Sequence, residues 1–202
     1  MSDKRKLVIS SGNPGKLREL SALLEPLGYD LHAQSEFDVP EAEETGTTFV
    51  ENALIKARNA AAHSGLPAIA DDSGIEVDAL DGAPGVYSAR FSGPGADDAS
   101  NNALLVEKLR DVPEQQRGAR YRAVLVYMRH AADPSPIICE GSWEGRIILE
   151  PRGDNGFGYD PHFWLDSHGC TSAELDPAEK NRLSHRGQAL RELVERLQRE
   201  AA

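Results

Sequence analysis

The order of strand-like and helix-like segments is the feature that most constrains the fold of this chain. Leu7-Val8-Ile9-Ser10 is a short β-branched run typical of a buried strand, and Asn13-Pro14 then supplies an N-cap and a first-turn proline for a helix. Further on, two long strand patterns over 119–129 and 137–149 predict a large hairpin. Helices that come both between strands and after a hairpin predict an α/β protein with a mixed sheet.

The remaining elements are predicted from capping and periodicity. A capping box at Thr48–Glu51 predicts an Ala-rich helix that ends at Gly65, and Ala68-Ile69-Ala70 predicts the strand that follows it. Three more helices are predicted over 100–109, from Asp176-Pro177 onward, and after Ser184.

Length and charge exclude several classes of protein. The 202 residues fit one domain or two tightly packed lobes without a separable linker, and a chain of this size buries about 70% of its unfolded surface. The formal charge of −11 disfavours a general binder of nucleic acid or of anionic membranes, because both partners are repelled at long range. An anionic ligand must therefore meet a local group of cations or arrive with a metal ion.

The cysteines and the apolar runs predict the compartment. Cys139 and Cys170 form neither a CxxC pair nor a zinc pattern, so two free buried thiols in a reducing compartment are favoured over one disulfide. The run Leu7-Val8-Ile9 is too short for a signal peptide, and the run over 123–128 falls far short of the ~20 residues of a spanning helix. We expect a cytoplasmic protein with no membrane partner.

The turn after the first strand is a candidate phosphate-binding loop. It consists of Ser11, Gly12, Asn13, Pro14, Gly15 and Lys16. Small residues let the backbone approach a ligand, the N–H groups of the helix attract an anion, and Lys16 adds a full positive charge. An ordinary strand-to-helix turn explains the same residues, since the segment is neither a complete Walker loop nor a GxGxxG motif.

Acidic residues in two segments are candidates for holding a hard cation. Asp71 and Asp72 follow an apolar strand, and consecutive strand residues point to opposite faces. Glu43-Glu44 lies in a loop before the helix that carries Lys56. Carboxylate oxygens suit Mg²⁺, which keeps several of its waters. Taken singly, the acids are also explained as solvated turn residues, and Lys56 as an exposed helix lysine.

Two later segments are candidates for contacts with a nucleotide. In 153–161, glycines surround two aromatic residues and would let a ring lie against a nucleobase, although a glycine-rich hairpin explains the same pattern. The segment 180–187 concentrates basic residues in an acidic chain, and His185 and Arg186 begin the last helix. Cations at that position oppose the helix dipole, and a bound anion or carbonyl group would remove the conflict.

These segments together resemble the inosine triphosphate pyrophosphatase family over nearly the whole chain. The motifs that carry the resemblance are Ala70-Asp71-Asp72-Ser73-Gly74, Phe157-Gly158-Tyr159-Asp160-Pro161 and Ser184-His185-Arg186-Gly187, in that order. The match is closest to the bacterial dITP/XTP branch. The resemblance implies a single ITPase-like domain over 1–202, with a long central mixed sheet flanked by helices. It also implies two lobes with an active-site cleft between them, and a homodimer.

The resemblance further implies an activity and the residues for it. Family members hydrolyse inosine, deoxyinosine and xanthosine triphosphates to the monophosphate and pyrophosphate. We expect Mg²⁺ as the metal, with Mn²⁺ as an alternative. The family's metal carboxylates fall on Glu44 and Asp72, and its water-activating acid also falls on Asp72. Its phosphate loop falls on Ser11, Gly12, Asn13, Pro14, Gly15 and Lys16. Its other nucleotide contacts fall on Ser73, Phe157, Gly158, Tyr159, Asp160, Lys180, His185 and Arg186.

Two other functions stay open at this point. A pyrophosphatase of the related Maf-like type would act on pyrimidine triphosphates. A nucleotide-sensing module would bind without turnover, but it has little use for three acids, Glu44, Asp71 and Asp72, beside the phosphates. Two roles are likewise open for Asp72, which either takes a proton from water or only holds the metal.

Overall fold

Seven strands form one mixed sheet in the computed structural model, which describes residues 4–11 and 14–201. The strands are β1 (Arg5–Ser10), β2 (Tyr29–Ala33), β3 (Ala68–Val77), β4 (Gly118–Met128), β5 (Ile137–Ile147), β6 (Phe163–Leu165) and β7 (Cys170–Thr171). Their order in the sheet is β2-β1-β3-β4-β5-β6-β7. β1 runs parallel to β2 and β3, whereas β6 runs antiparallel to β5 and β7. The predicted α/β class with a mixed sheet is therefore confirmed.

Helices flank this sheet at the places where capping and periodicity predict them. They are α1 (Pro14–Leu24), α2 (Phe49–Ser64), α3 (Asp98–Leu109), α4 (Pro177–Leu183) and α5 (His185–Ala201). Within the described ranges, no helix combines the length and the apolar character that crossing a bilayer demands.

The ends of α2 show how directly the sequence fixes a helix. The Glu51 N–H donates to Thr48 Oγ1 at 3.3 Å, and the Thr48 N–H donates back to Glu51 Oε2 at 3.0 Å, which completes the predicted capping box. Gly65 ends the helix at a φ of 67°, where its N–H donates to the Ala61 carbonyl. These caps fix the position of α2, which carries residues of the candidate site.

The described residues form two compact units, each with its own core. The first takes the described parts of 1–72, 124–140 and 189–202, and the second takes 73–123 and 141–188. A cluster of buried side chains in the first unit consists of Val8, Val39, Ala60, Ala61 and Ala68. The core of the second unit includes Ile75, Val77, Leu105, Leu109, Tyr121, Trp143 and Phe163. The single domain with two lobes and a cleft stays a prediction.

The sequence predicts that the strand ends before the segment Asp71–Gly74, and this prediction is wrong. β3 continues through it to Val77, between β1 and β4 in the sheet. Ile75 and Val77 are both fully buried, and the Ile75 N–H donates to Ser88 Oγ at 2.9 Å. Burial of these two side chains outweighs the turn preference of Asp, Ser and Gly, so the acidic pair belongs to the sheet and not to a turn.

Both cysteines are free thiols, as predicted. Cys139 is buried in β5, but the prediction that both thiols are buried is wrong for Cys170, which lies at the start of the two-residue edge strand β7 and is partly exposed. Burial raises the pKa of the Cys139 thiol to about 12, so this side chain stays protonated and acts as a small apolar residue.

Candidate active site

The candidate phosphate loop starts at the end of β1, in the first unit. Ser10 lies opposite Ala70 in the parallel pairing of β1 with β3, so Ser11 and Asp71 each come directly after the same paired position. The first turn of α1 is formed by Pro14, Gly15 and Lys16, while Gly12 and Asn13 lie outside the described residues. The register therefore places the start of the loop beside the aspartate pair, and the binding of phosphate by this loop stays a prediction.

Lys56 of α2 joins the two predicted metal carboxylates. Its Nζ atom lies 2.6 Å from Asp72 Oδ1 and 3.2 Å from Glu44 Oε1, and its side chain is only 16% exposed. The interpretation of Lys56 as an ordinary exposed lysine is therefore wrong. Burial alone would lower the pKa of Lys56, but its attraction to Asp72 and Glu44 outweighs burial and raises it. Lys56 thus remains a cation that offsets the repulsion between the two carboxylates.

Asp72 has one oxygen that its surroundings leave unsatisfied. Burial raises the pKa of this carboxyl, Lys56 lowers it, and the charges of Glu44 and Asp71 raise it again, so that it ends above its ordinary value. Asp72 Oδ2 is buried, and no hydrogen-bond partner for it is found among the described residues. A buried acceptor without a partner costs free energy, so this atom is suited to a ligand.

The carboxylates of this cluster fit a divalent cation that arrives with a phosphate ligand. Across the described parts of the chain, no group of three or more His, Cys, Asp or Glu side chains is arranged to hold a metal. Mg²⁺ does not require such a cage, because one or two carboxylates commonly hold it while water and substrate phosphates complete its shell. Glu44 and the unsatisfied Asp72 Oδ2 supply such a pair of oxygen ligands.

Asn52, which no sequence motif singles out, holds the loop that carries Glu44. Its side chain is fully buried in α2, and its Oδ1 accepts the Gly46 N–H at 2.9 Å. A Cβ atom on Gly46 would lie 2.6 Å from Glu51 Cβ and 2.7 Å from Asn52 Oδ1, so only glycine allows the loop to approach this closely. The sequence signal that could have identified Asn52 is a single amide on a buried helix face that otherwise consists of alanine and phenylalanine.

In the second unit, Asp160 organises the glycine-rich loop between β5 and β6. Its Oδ2 accepts the Lys180 ammonium at 2.5 Å and the Phe157 N–H at 2.8 Å, and its Oδ1 accepts Ser172 Oγ at 2.8 Å. At Gly156, where φ is +82°, a Cβ atom would lie only 2.2 Å from Asp160 Oδ2. The loop is therefore fixed by one buried carboxylate that accepts hydrogen bonds from several parts of the second unit.

Phe157 presents its ring to solvent close to two cations. The residue is 60% exposed, and the ring centroid lies 5.1 Å from Lys180 Nζ and 6.0 Å from Arg186 Cζ. Arg186 Nη2 also donates to Ser73 Oγ at 3.0 Å. The structure thus brings together four of the residues that the sequence predicts as nucleotide contacts.

His185 is held at the junction of α4 and α5. Ser184 separates the two helices, and its Oγ accepts the Gly187 N–H at 3.1 Å. The His185 ring stacks on Tyr121, with 4.8 Å between centroids and 7° between planes. Burial raises the pKa of Tyr121 well above its ordinary value, so the phenol keeps its proton and donates to Asp160 Oδ1. Tyr121 therefore connects His185 to the loop that Asp160 organises. The only signal for Tyr121 in the sequence is its position in the strand pattern of β4.

Comparison with known proteins gives one consistent group. The model of the Ham1 family matches residues 7–196. The dITP/XTP pyrophosphatase of Thioalkalivibrio sulfidiphilus is 64% identical over 193 residues, which cover 96% of this chain and 98% of that protein. The dITP/XTP pyrophosphatase of Vibrio cholerae is 58% identical over 194 residues, which cover 96% and 97%. The solved structure of a HAM1 protein from Coxiella burnetii matches with a TM-score of 0.93 and 51% identity, over 96% of this chain and 99% of that one.

Proposed function

Because this chain belongs to the Ham1 family, we propose that it hydrolyses dITP, ITP and XTP to the nucleoside monophosphate and pyrophosphate, and so removes deaminated purines from the nucleotide pool. Its relatives that are named dITP/XTP pyrophosphatase align over nearly their whole length, which supports the same activity for the whole chain. One observation carries the proposal. Lys56 holds Glu44 and Asp72 together while one buried Asp72 oxygen is left for a ligand. Hydrolysis needs such carboxylates, whereas a site that only binds an anion does not.

Glu44 and Asp72 would hold the divalent cation, which we assign as Mg²⁺, with Mn²⁺ as an alternative. When bound, the cation neutralises phosphate charge and lowers the pKa of a bound water. Lys56 keeps the two carboxylates close before any cation arrives, because its ammonium contacts both. We assign Lys16 and the N–H groups of the loop from Ser11 to Lys16 to the remaining phosphate charge, together with Lys180.

Hydrolysis exchanges one phosphorus–oxygen bond for another. The oxygen of a water molecule bonds to the α-phosphorus, the bond from that phosphorus to the α–β bridging oxygen breaks, and pyrophosphate leaves. The water gives up a proton, and Asp72 Oδ2 is the atom that we assign either to accept it or to bind the cation. Most of the acceleration then comes from positioning and electrostatic stabilisation, as in phosphoryl transfer generally.

The second unit supplies the contacts that we assign to the base. The exposed ring of Phe157 offers a stacking surface for a purine. His185 and Arg186 supply donors that match the 6-oxo group of hypoxanthine and xanthine. Adenine carries a 6-amino donor at that position, and a donor that faces a donor inside a site is unfavourable by several kcal/mol, about a hundredfold or more in kcat/KM.

A panel of triphosphates tests the activity. Pyrophosphate release is measured from ITP, XTP, GTP, dTTP and UTP, with and without Mg²⁺. We expect ITP and XTP to be hydrolysed fastest and only with the metal. Preference for dTTP or UTP would instead indicate a pyrimidine-specific pyrophosphatase, and tight binding without product would indicate a sensing module.

Asp72→Asn tests the assignment of the site. The variant should lose turnover by several orders of magnitude, because the carboxylate is needed for chemistry, and it should stay folded without urea, although loss of the ion pair with Lys56 lowers its free energy of unfolding. Asp111→Asn, in an exposed segment after α3, is the matched control and should keep full activity. Pyrophosphate release near the wild-type rate in Asp72→Asn would contradict the assignment.

We also infer that the protein works as a homodimer in the cytoplasm, with neither nucleic acid nor membrane as a partner. The family resemblance supports the dimer, and the formal charge of −11 and the free thiols support the other two points. Light scattering of the purified protein measures the oligomeric state, and cell fractionation measures the location. A monomer at micromolar concentration, or a membrane-bound fraction, would contradict the inference.

A further inference from the structure

Two side chains of α3 hold both polar groups of Gly158. The Gly158 N–H donates to Asp98 Oδ2 at 2.7 Å, and the Gly158 carbonyl accepts from Asn102 Nδ2 at 2.8 Å. Asp98 and Asn102 are four residues apart on the helix, so their side chains lie on one face, a turn apart. We call this arrangement of Asp98, Asn102 and Gly158 the glycine clamp. It joins segments that are about 60 positions apart in the sequence.

Capping of α3 does not account for Asp98. The N-cap of this helix is Asp97, whose Oδ1 accepts the Ser100 N–H at 2.7 Å, and Ser100 Oγ accepts the Asp97 N–H at 3.0 Å, which completes a capping box. Asp98 is the first residue of the helix, where a carboxylate is favourable for the helix dipole wherever it points. The stability of α3 therefore does not require the contact between Asp98 and Gly158, and this contact acts on the loop.

The clamp acts on a residue whose backbone has wide conformational freedom in the unfolded chain. Gly158 adopts a φ of +63°, and glycine loses more conformational entropy on ordering than any other residue. Its neighbours are Phe157, with its exposed ring, and Tyr159, whose hydroxyl donates to the Ser88 carbonyl at 2.7 Å. Asp160 fixes the loop from its other end through the Phe157 N–H. With Gly158 clamped, the backbone on both sides of Phe157 is fixed before any ligand binds.

We propose that Asp98 and Asn102 are positioning residues that order the Phe157 loop for binding of the purine base. The inference rests on the proposed function for the identity of the ligand and goes beyond it in assigning a role to α3. Pre-ordering lowers the entropy that the substrate would otherwise have to remove on binding. Neither residue touches the reacting phosphates in this scheme, so their loss should weaken substrate binding and leave the chemical step unchanged.

The test combines kinetics with exchange of a single amide proton. In Asp98→Ala and Asn102→Ala we expect KM for ITP to rise about three- to tenfold while kcat stays within about twofold, which is the pattern of lost uniform binding. The Gly158 amide, followed by NMR without nucleotide, should exchange faster in Asp98→Ala. Asp98→Asn keeps a carbonyl acceptor and should restore both values.

The matched control is Glu107→Ala, in the same helix. Glu107 is exposed, and its side chain makes no hydrogen bond or ion pair with any residue in the described ranges, so KM and amide exchange should equal the wild-type values. An unchanged KM in both alanine variants, an unchanged Gly158 exchange rate, or a loss of kcat at constant KM would each overturn the positioning role. If the wild type released no pyrophosphate from ITP, the proposed function would be wrong, and the exchange rate would still decide whether the clamp orders the loop.

Discussion

The pair formed by Asp160 and Lys180 offers the most quantitative test of how the second unit holds its binding loop. The two charges lie 2.5 Å apart, on side chains that are only 4% and 15% exposed. At an effective dielectric constant of about 20, their Coulomb attraction is about 6–7 kcal/mol, and the cost of removing both groups from water cancels a large part of it. We expect Asp160→Asn and Lys180→Met each to lower the free energy of unfolding by about 3 kcal/mol, because each leaves a largely buried charge without its partner.

The double variant measures the interaction between Asp160 and Lys180 separately from their contacts with other residues. Asp160→Asn combined with Lys180→Met should also lose about 3 kcal/mol and not the sum of the two single losses, since no unpaired charge remains. The coupling energy is then about 3 kcal/mol. Urea unfolding followed by fluorescence measures it, because both tryptophans of the chain, Trp143 and Trp164, belong to the same unit as the pair. For a chain of this size each single loss corresponds to a fall in Tm of about 6–12 °C.

A second cycle on α4 provides the control. Glu179 and Arg182 form an ion pair in the same helix, but these side chains are 37% and 65% exposed, so solvent screens their attraction. We expect no measurable coupling between Glu179→Gln and Arg182→Met. If the losses of Asp160→Asn and Lys180→Met were additive, as in this control, the argument that burial makes the pair interdependent would be refuted.

Three further predictions concern pH, glycine geometry and base selection. The pKa of His32 is raised from 6.5, chiefly by its hydrogen bond to Glu36, so its stabilising effect is complete below about pH 6.5 and is lost as the pH rises through the folded-state pKa. The difference in Tm between wild type and His32→Gln should therefore shrink from about pH 6 to pH 9, and a constant difference would show that the charge is not involved. Gly156→Ala should lower the free energy of unfolding, measured in urea, by at least about 3 kcal/mol. The control Gly169→Ala should lower it by about 1 kcal/mol, because Gly169 also has a positive φ but a Cβ atom there meets open space. Equal losses would show that the close approach of Gly156 to Asp160 is unimportant. Arg186→Ala should narrow the preference for ITP over ATP in kcat/KM, and an unchanged ratio would exclude this arginine as the residue that reads the 6-oxo group.

The helix boundaries were the most predictable part of the fold. The limits of α2 follow from Thr48, Glu51 and Gly65, because a capping side chain and a left-handed glycine act on the backbone beside them. The break between α4 and α5 at Ser184 is of the same kind. Such signals are local, so a single sequence contains all the information that they require.

Features that depend on distant partners were not predictable. The length of β3 is set by burial of Ile75 and Val77 and by its neighbours in the sheet, and no residue of Asp71–Gly74 reveals them. Lys56 looks like any exposed helix lysine until the fold brings Glu44 and Asp72 to its ammonium.

The residues of the site were predicted chiefly through the family resemblance, and their membership in one site stays a prediction. The structure connects Glu44 with Asp72, and Phe157 with Lys180 and Arg186, within their respective units. The supporting residues Asn52 and Tyr121 were not identified, because a hydrogen bond or a ring stack with a distant partner leaves no pattern in the chain. The chemical roles of all these residues stay predictions until the variants are measured.

The location of the acidic pair inside a sheet has a consequence for the energetics of turnover. Asp71 and Asp72 are anchored in β3, an inner strand with a neighbour on either side, and such a backbone cannot swing as a loop does. Like charges held this closely repel, and folding overcomes that repulsion a single time, during assembly of the sheet. Successive catalytic cycles then start from dipoles and charges that are already aligned, so little reorganisation energy is spent between one substrate and the next.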